Sequence, residues 1–130
     1  MNRTIVILDG DQTGQELLEE ALRVIDPAVA GIEFDFIRYD LSLANRRATG
    51  NKVVSEAATK LREHGLGLKA ATITPPGRDD VGSPNRILRE EIQAEVILRT
   101  GRRIPGVRPI AGVYAPISVV RMAIEDAYGA

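Results

Sequence analysis

The chain is organised around one stretch, Gly82-Ser83-Pro84-Asn85-Arg86-Ile87-Leu88-Arg89. Its pattern predicts a loop that becomes a helix, because Ser83 suits the N-cap and Pro84 has the fixed φ preferred at the first helical position. Asn85 and Arg89 are four residues apart, so they share a helix face close to an N-terminus that favours anions. The simplest interpretation of the stretch alone is a capped surface helix with a solvated arginine.

The composition excludes several functional classes. With 17 basic and 18 acidic residues among 130, the net charge of −1 gives no basic footprint for nucleic acid or a membrane surface. The pairs Arg46-Arg47 and Arg102-Arg103 are therefore predicted to be solvated loop residues. Cysteine is absent, which excludes disulfides and thiolate chemistry and favours a cytoplasmic location. No apolar run approaches the roughly 18 residues of a membrane span.

Strand-like and helix-like segments alternate along the chain. Strands are predicted at 4–8, 32–39, 66–73, 96–98 and 118–123, and helices at 15–25, 41–47 and 84–92, with a further helix capped by Ser55. The range 107–113 is ambiguous. The alternation predicts an α/β fold, an αβα sandwich with a largely parallel mixed sheet, formed by residues 1–130 as a single unit.

Three polar or turn-forming segments follow predicted strands. They are the turn 9–14, the rigid turn Thr74-Pro75-Pro76-Gly77, and Arg99 at the end of the strand 96–98. Ligand groups in parallel sheets gather at the carboxyl ends of the strands, so these segments are expected to contribute to a binding site.

Isolated motifs in the chain have ordinary structural explanations. Gly10-x-x-x-Gly14 is neither a dinucleotide fingerprint nor a P-loop, so it predicts a plain strand–helix turn. Asp79 and Asp80 are adjacent and point apart in an extended loop, which favours solvation over metal binding. His64, the one histidine, precedes Gly65 at a helix end, where it suits the helix dipole rather than a catalytic triad. No metal ligands are predicted.

The segments become specific when they are taken in order. They are Gly10-Asp11-x-x-Gly14-x-Glu16, Thr74-x-Pro76, Ser83-x-Asn85-x-x-Leu88-Arg89 with Arg99, Val119-Val120-Arg121, and Glu125-Asp126-x-Tyr128-Gly129. In this order and spacing the chain resembles the isocitrate/isopropylmalate (β-decarboxylating) dehydrogenase family over essentially its whole length. The expected fold is thus the N-terminal part of such a dehydrogenase, with 114–130 beginning the family's second domain.

The resemblance implies oxidative decarboxylation of a 2-hydroxy acid. NAD or NADP would accept a hydride, and Mg²⁺ or Mn²⁺ would polarise the resulting ketone. By position, the family's substrate arginines correspond to Arg89, Arg99 and Arg121. The planar guanidinium binds carboxylates bidentately and keeps its charge, which suits this role. Tyr128 corresponds to the tyrosine that protonates the enolate.

The resemblance also implies how the substrate and cofactor are selected. Ser83 and Asn85 match positions that recognise the distal substituent, and their polarity favours a third carboxylate over an isopropyl group, hence an isocitrate-type substrate. Thr74 falls in the segment that approaches the nicotinamide. The expected partners are a small tricarboxylate or 2-hydroxy acid, and a second copy of the chain or a complementary chain, with no nucleic acid or membrane.

The chain also departs from the family pattern. Gln12 and Gln15 stand where the family has glycine and proline, and 122–124 replaces a polar Glu-Asn-Thr/Ser segment. The family's catalytic lysine, metal-binding aspartates and adenosine-binding loop lie beyond the tyrosine segment. Two alternatives therefore stay open: a non-catalytic binding or regulatory relative that associates with a full-length partner, and a plain α/β domain in which Arg89 and Arg99 form structural ion pairs.

Overall fold

A computed structural model describes residues 3–124 of the chain. The elements in chain order are β1 (Arg3–Asp9), α1 (Gln12–Val24), α2 (Pro27–Ala30), β2 (Phe34–Asp40), α3 (Leu43–Thr49), α4 (Lys52–His64), β3 (Gly67–Lys69), α5 (Pro84–Ile92), β4 (Val96–Gly101) and β5 (Ile117–Met122). The chain divides into two compact units, residues 1–92 and 93–130.

The first unit is built on a three-stranded parallel sheet in the order β2-β1-β3. Its central strand is the apolar run of β1, whose alternate side chains enter two cores. Ile5 and Ile7 pack with Leu18 of α1, whereas Val6 and Leu8 pack with α4 and α5. A sheet with helices on both faces confirms the prediction of an αβα sandwich with parallel strands.

β3 is shorter than the predicted strand 66–73. Only residues 67–69 pair with β1, at Val6, Ile7 and Leu8. After these pairs β1 ends at Asp9 and the chain turns into α1. The residues after Lys69 therefore have no neighbouring strand with which to pair. The backbone instead follows the turn: the Asp11 amide donates to the Ala71 carbonyl at 3.0 Å. The segment from Thr74 to Gly77 has neither helix nor strand, as its two prolines predict.

The helix attributed to a Ser55 cap begins earlier, at Lys52. Its start follows two residues in the left-handed region, Gly50 at φ 56° and Asn51 at φ 64°, which form a sharp corner between α3 and α4. Ser55 lies inside α4, where its hydroxyl donates to the Glu91 carboxylate at 2.6 Å and ties α4 to α5. The helix 84–92 is confirmed as predicted.

The second unit contains an antiparallel ribbon of β4 and β5. The Ala123 amide closes its base by donating to the Glu95 carbonyl at 2.8 Å. Residues 102–116 connect the strands without helix or strand, so the ambiguous range 107–113 is a loop. Within residues 3–124, no helix combines the length and apolar character that a membrane crossing needs.

Candidate functional site

The start of α5 has the geometry that its sequence predicts. Ser83 immediately precedes the helix, and its hydroxyl accepts a hydrogen bond of 3.4 Å from the Asn85 amide. Pro84 is the first helical residue and is buried. Ser83, Asn85 and Arg89 are each partly accessible, so the polar side of the helix start is open to a ligand.

Asn85 and Arg89 line one pocket of about 670 Å³ in the first unit, as their four-residue spacing predicts. The apolar part of its wall comes from the neighbouring core. Two further cationic residues, Arg62 at the end of α4 and Lys69 at the end of β3, also line it. None of the described residues that line the pocket is acidic. A concave site with three cations and an amide suits a small anion carrying several carboxylates.

Lys69, like Arg62, is a cationic residue of this pocket that the sequence analysis missed. Its ammonium donates to the Ala70 carbonyl at 2.8 Å and to the Thr72 hydroxyl at 3.2 Å. Burial lowers the pKa of Lys69 to about 8, and the nearby positive charges of Arg46 and Arg89 act in the same direction. The only sequence signal was a charged residue inside an otherwise apolar predicted strand, which is unfavourable unless the charge has a use.

The prediction that Arg46 is a solvated loop residue is wrong. Arg46 lies in α3 and is fully buried, and its guanidinium donates to three carbonyls, those of Leu41 at 2.9 Å, Ile73 at 2.5 Å and Gly82 at 2.9 Å. Burial lowers the pKa of Arg46 from its ordinary value. The three backbone hydrogen bonds compensate for the loss of water around the charge. The acceptors are far apart in sequence, so no local pattern could reveal them.

The other arginines of the two pairs differ from Arg46. Arg47 is exposed and forms an ion pair of 2.6 Å with Asp80, so Asp80 is not simply solvated as predicted. The hydrogen bond from Arg47 lowers the pKa of the Asp80 carboxyl below its usual value. Arg102 and Arg103 are exposed loop residues, as predicted, and the Arg103 guanidinium lies 5.3 Å from the centre of the Tyr114 ring.

The turn after β1 is packed against the segment after β3. A β-carbon on Gly14 would lie 2.6 Å from the Ala71 carbonyl oxygen, and one on Gly10 would lie closer still. The two glycines therefore allow close approach of the backbone, as expected of a plain strand–helix turn. The Asp11 carboxylate is also occupied, because it accepts from the amides of Leu43 and Ile73, each at 2.9 Å.

The two arginines of the second unit lie on one face of its ribbon. Arg99 is opposite Val119, and Arg121 is opposite Ile97, so the arginines are diagonal neighbours on that face. Arg99 lies within β4 rather than at its end, since the strand continues to Gly101. Both arginines are exposed, and their adjacent positive charges suit a carboxylate ligand.

The remaining predicted site residues are less informative. Thr74 is exposed in the turn that follows Ile73. Tyr128 lies outside the described residues. Within residues 3–124, no group of three or more acidic or histidine side chains could hold a metal ion. Residues 3–124 therefore offer no cluster that fits the divalent cation that the family resemblance implies.

Comparison with known proteins decides the family. The model of the isocitrate/isopropylmalate dehydrogenase family matches residues 4–130. The chain belongs to the isocitrate/isopropylmalate dehydrogenase family. It is 35% identical over 130 residues to a 3-isopropylmalate dehydrogenase of Nocardia farcinica (strain IFM 10152). The alignment covers 95% of this chain and 38% of that relative.

Two other relatives represent both branches of the isocitrate/isopropylmalate dehydrogenases. A 3-isopropylmalate dehydrogenase of Mycobacterium avium (strain 104) is 35% identical over 112 residues, covering 83% of this chain and 32% of the relative. A mitochondrial NADP isocitrate dehydrogenase of Candida tropicalis is 32% identical over 139 residues. The alignment covers 97% of this chain and 31% of the relative. The chain thus spans between 31% and 38% of the length of these three relatives.

Proposed function

We propose that the chain carries the substrate-carboxylate site of an NAD(P)- and metal-dependent oxidative decarboxylase that acts on an isocitrate-like 2-hydroxy acid. The observation that carries the proposal is the pocket in which Asn85 and Arg89 are joined by Arg62 and Lys69. Such a concentration of positive charge is unexpected in a chain whose net charge is −1. It favours a ligand with more than one negative group.

The polar character of the helix start supports an isocitrate-type substrate. The Ser83 hydroxyl and the Asn85 amide offer hydrogen bonds to a third carboxylate, whereas an isopropyl group would leave them unpaired. Lys69 adds a charge that an isopropyl group could not use. We therefore favour a tricarboxylate over a substrate with an apolar branch.

The remaining predicted site residues each have a defined role in this proposal. The arginines that bind carboxylates are Arg89, Arg99 and Arg121, and Tyr128 supplies the proton to the enolate. Thr74 lies beside the nicotinamide. When bound, NAD(P) would take the hydride and Mg²⁺ or Mn²⁺ would polarise the ketone. We assign the metal ligands to groups other than residues 3–124, among which no group of three or more acidic or histidine side chains could hold the ion.

A second candidate is a non-catalytic binding or regulatory relative that associates with a full-length partner. Gln15, where the family has proline, favours it. Its side chain accepts from the Gly10 amide at 2.8 Å and donates to Asp9 at 2.8 Å and to Glu19 at 2.7 Å. The turn is therefore closed by the chain's own side chains. Such a protein would keep the carboxylate pocket and lose the oxidation.

Isothermal titration calorimetry tests the pocket directly. The titrants are isocitrate and 3-isopropylmalate, each with and without Mg²⁺, and the variants are Arg89→Gln and, as a control on the same helix, Arg86→Gln. Arg86 is exposed and paired with Glu90, so its loss should leave binding unchanged. We expect isocitrate to bind more tightly than 3-isopropylmalate, and Arg89→Gln to lower the affinity at least ten-fold. Equal heats from the two variants would contradict the proposed site.

Turnover separates the two candidate functions. Reduction of NAD or NADP by the chain with isocitrate and Mg²⁺ or Mn²⁺, alone or with a complementary chain, would favour the dehydrogenase. Isocitrate binding without turnover in either setting would favour the binding relative. We also propose that the chain forms a homodimer or associates with a complementary chain, which light scattering would measure. We further propose a cytoplasmic location.

A further inference from the structure

The corner between α3 and α4 holds the segment that leads into α5. Three polar side chains from this corner contact three consecutive residues: Arg47 pairs with Asp80 at 2.6 Å, Asn51 donates to the Val81 carbonyl at 2.8 Å, and Arg46 donates to the Gly82 carbonyl at 2.9 Å. Gly82 is followed directly by Ser83, which the proposed function assigns to the ligand and which adjoins Asn85 of the pocket without lining it. We call Arg46, Arg47 and Asn51 the corner clamp.

Arg46 is the strongest member of the corner clamp. It is fully buried, and its guanidinium also reaches the Ile73 carbonyl at 2.5 Å and the Leu41 carbonyl at 2.9 Å. A buried charge that loses its acceptors is costly, so all three carbonyls are held firmly. Arg47, in contrast, is exposed, and an exposed ion pair holds its partner weakly.

Arg46 therefore fixes both ends of the loop that carries Thr74 and leads to the helix. One end is Ile73, whose amide is held independently by the Asp11 carboxylate. The other end is Gly82, which has a φ of 64° and is joined to Ser83 by a single peptide bond. A change in the direction of the backbone at Gly82 would move the Ser83 hydroxyl and the Asn85 side chain together.

We propose that Arg46 is a positioning residue for the ligand site, holding Ser83 and Asn85 in place through the Gly82 carbonyl without contacting the ligand. This inference rests on the proposed function. Arg46 selects no substrate itself, because its donors are directed to three backbone carbonyls. Its contribution is to fix the loop in one conformation before a ligand arrives, so that the ligand does not have to order it.

Hydrogen exchange of the full chain tests the inference without any ligand. In Arg46→Gln we expect the amides of Ile73 and Asn85 to exchange at least ten-fold faster than in the wild type. The amides of Val6 and Ile7, in the central strand, should keep their protection. Arg46→Lys should fall between the two proteins, because an ammonium keeps the charge but lacks the planar fork. Arg23→Gln, which removes an exposed arginine paired with Glu20, is the control and should change none of these rates.

Isocitrate titration of the same proteins provides the functional readout. We expect Arg46→Gln to lower the affinity at least ten-fold, Arg46→Lys to restore part of it, and Arg23→Gln to match the wild type. Faster exchange that is equal in Val6 and Asn85 would mean a general loss of stability and would overturn the positioning role. Unchanged exchange at Asn85 would overturn it as well. If Arg46→Gln does not fold, Arg46→Lys decides by the same comparison.

The two proposals can fail separately. If the wild type does not bind isocitrate, the proposed function is wrong, while the exchange rates at Ile73 and Asn85 still decide whether Arg46 holds the loop. If the wild type binds isocitrate and Arg46→Gln binds it equally well, the proposed function stands and the positioning inference is wrong.

Discussion

Gly10 and Ala71 are in such close contact that no side chain fits between them. A β-carbon built on Gly10 would collide with the carbonyl oxygen of Ala71 and would lie 2.8 Å from the β-carbon of Ala70. Gly14 approaches the same carbonyl from the first turn of α1. The spacing of the two glycines is therefore explained by the passage of one backbone beside another.

Replacing Gly10 by alanine should destabilise the protein by about 2–3 kcal/mol, because the nearest atom that the new methyl group meets is the Ala71 carbonyl oxygen, which belongs to the backbone and cannot move aside. Gly14→Ala should act in the same direction. Gly77→Ala is the matched control, since the nearest atom to its added β-carbon is 3.7 Å away, and it should change stability by less than about 0.5 kcal/mol. Urea unfolding monitored by circular dichroism measures all three. Equal losses in Gly10→Ala and Gly77→Ala would show that the close contact is not formed.

Gln12 has a left-handed backbone conformation, with a φ of 48°, at the position where the family has glycine. This conformation costs an L-residue about 1–2 kcal/mol, whereas glycine adopts it freely but gives a more flexible unfolded chain. We expect Gln12→Gly to stabilise the protein by about 0.5 kcal/mol in urea unfolding. Gln12→Ala keeps the β-carbon and should bring no gain. A gain of equal size in both variants would exclude backbone strain as the cause.

Lys69 should make stability depend on pH in the alkaline range. Its pKa is about 8 in the folded protein, against roughly 10.4 in an unfolded chain, so between these values the unfolded state binds more protons. Stability should therefore rise with pH from about 8 to about 10.4, by on the order of 2 kcal/mol. In Lys69→Met this contribution should disappear. Urea unfolding at a series of pH values compares the two proteins, and parallel curves would contradict the lowered pKa.

Ser83 and Ser42 allow capping to be separated from ligand binding. Each precedes a helix and accepts a hydrogen bond of 3.4 Å from a backbone amide, of Asn85 and Asn45 respectively. Replacing either serine by alanine should cost about 0.5–1 kcal/mol of stability. Only Ser83→Ala should also weaken isocitrate binding, by about five-fold, because one hydrogen bond to the ligand is lost. The same isocitrate affinity in both variants would limit Ser83 to its capping role.

Local patterns were sufficient for most of the fold of the first unit. The β-branched run of β1 and the Ser83-Pro84 start of α5 are determined by neighbouring residues, and both were predicted correctly. The length of β3 was not, because a strand extends only as far as its partner, and that partner is β1, some sixty positions earlier. The start of α4 was misplaced because the left-handed Asn51 gives no strong signal in sequence.

The site was predictable where its residues share one helix or strand. Asn85 and Arg89 line a common pocket because of their helical spacing alone. Arg46 and Lys69 were missed for the opposite reason. Their environment is formed by carbonyls and charges from distant parts of the chain, and burial of a charged side chain contradicts its usual preference. Such residues become visible only when the contacts themselves are known.

Both backbone polar groups of Ile73 are hydrogen-bonded to charged side chains: its amide donates to Asp11, and its carbonyl accepts from Arg46. Neither contact reads the identity of the side chain. Among homologous proteins that keep both charged partners, this position could therefore accept many amino acids, with proline excluded because it has no amide hydrogen. Sequence variation at position 73 would then give no sign that its backbone is tightly constrained. The constraint would be visible instead in the residues kept at positions 11 and 46.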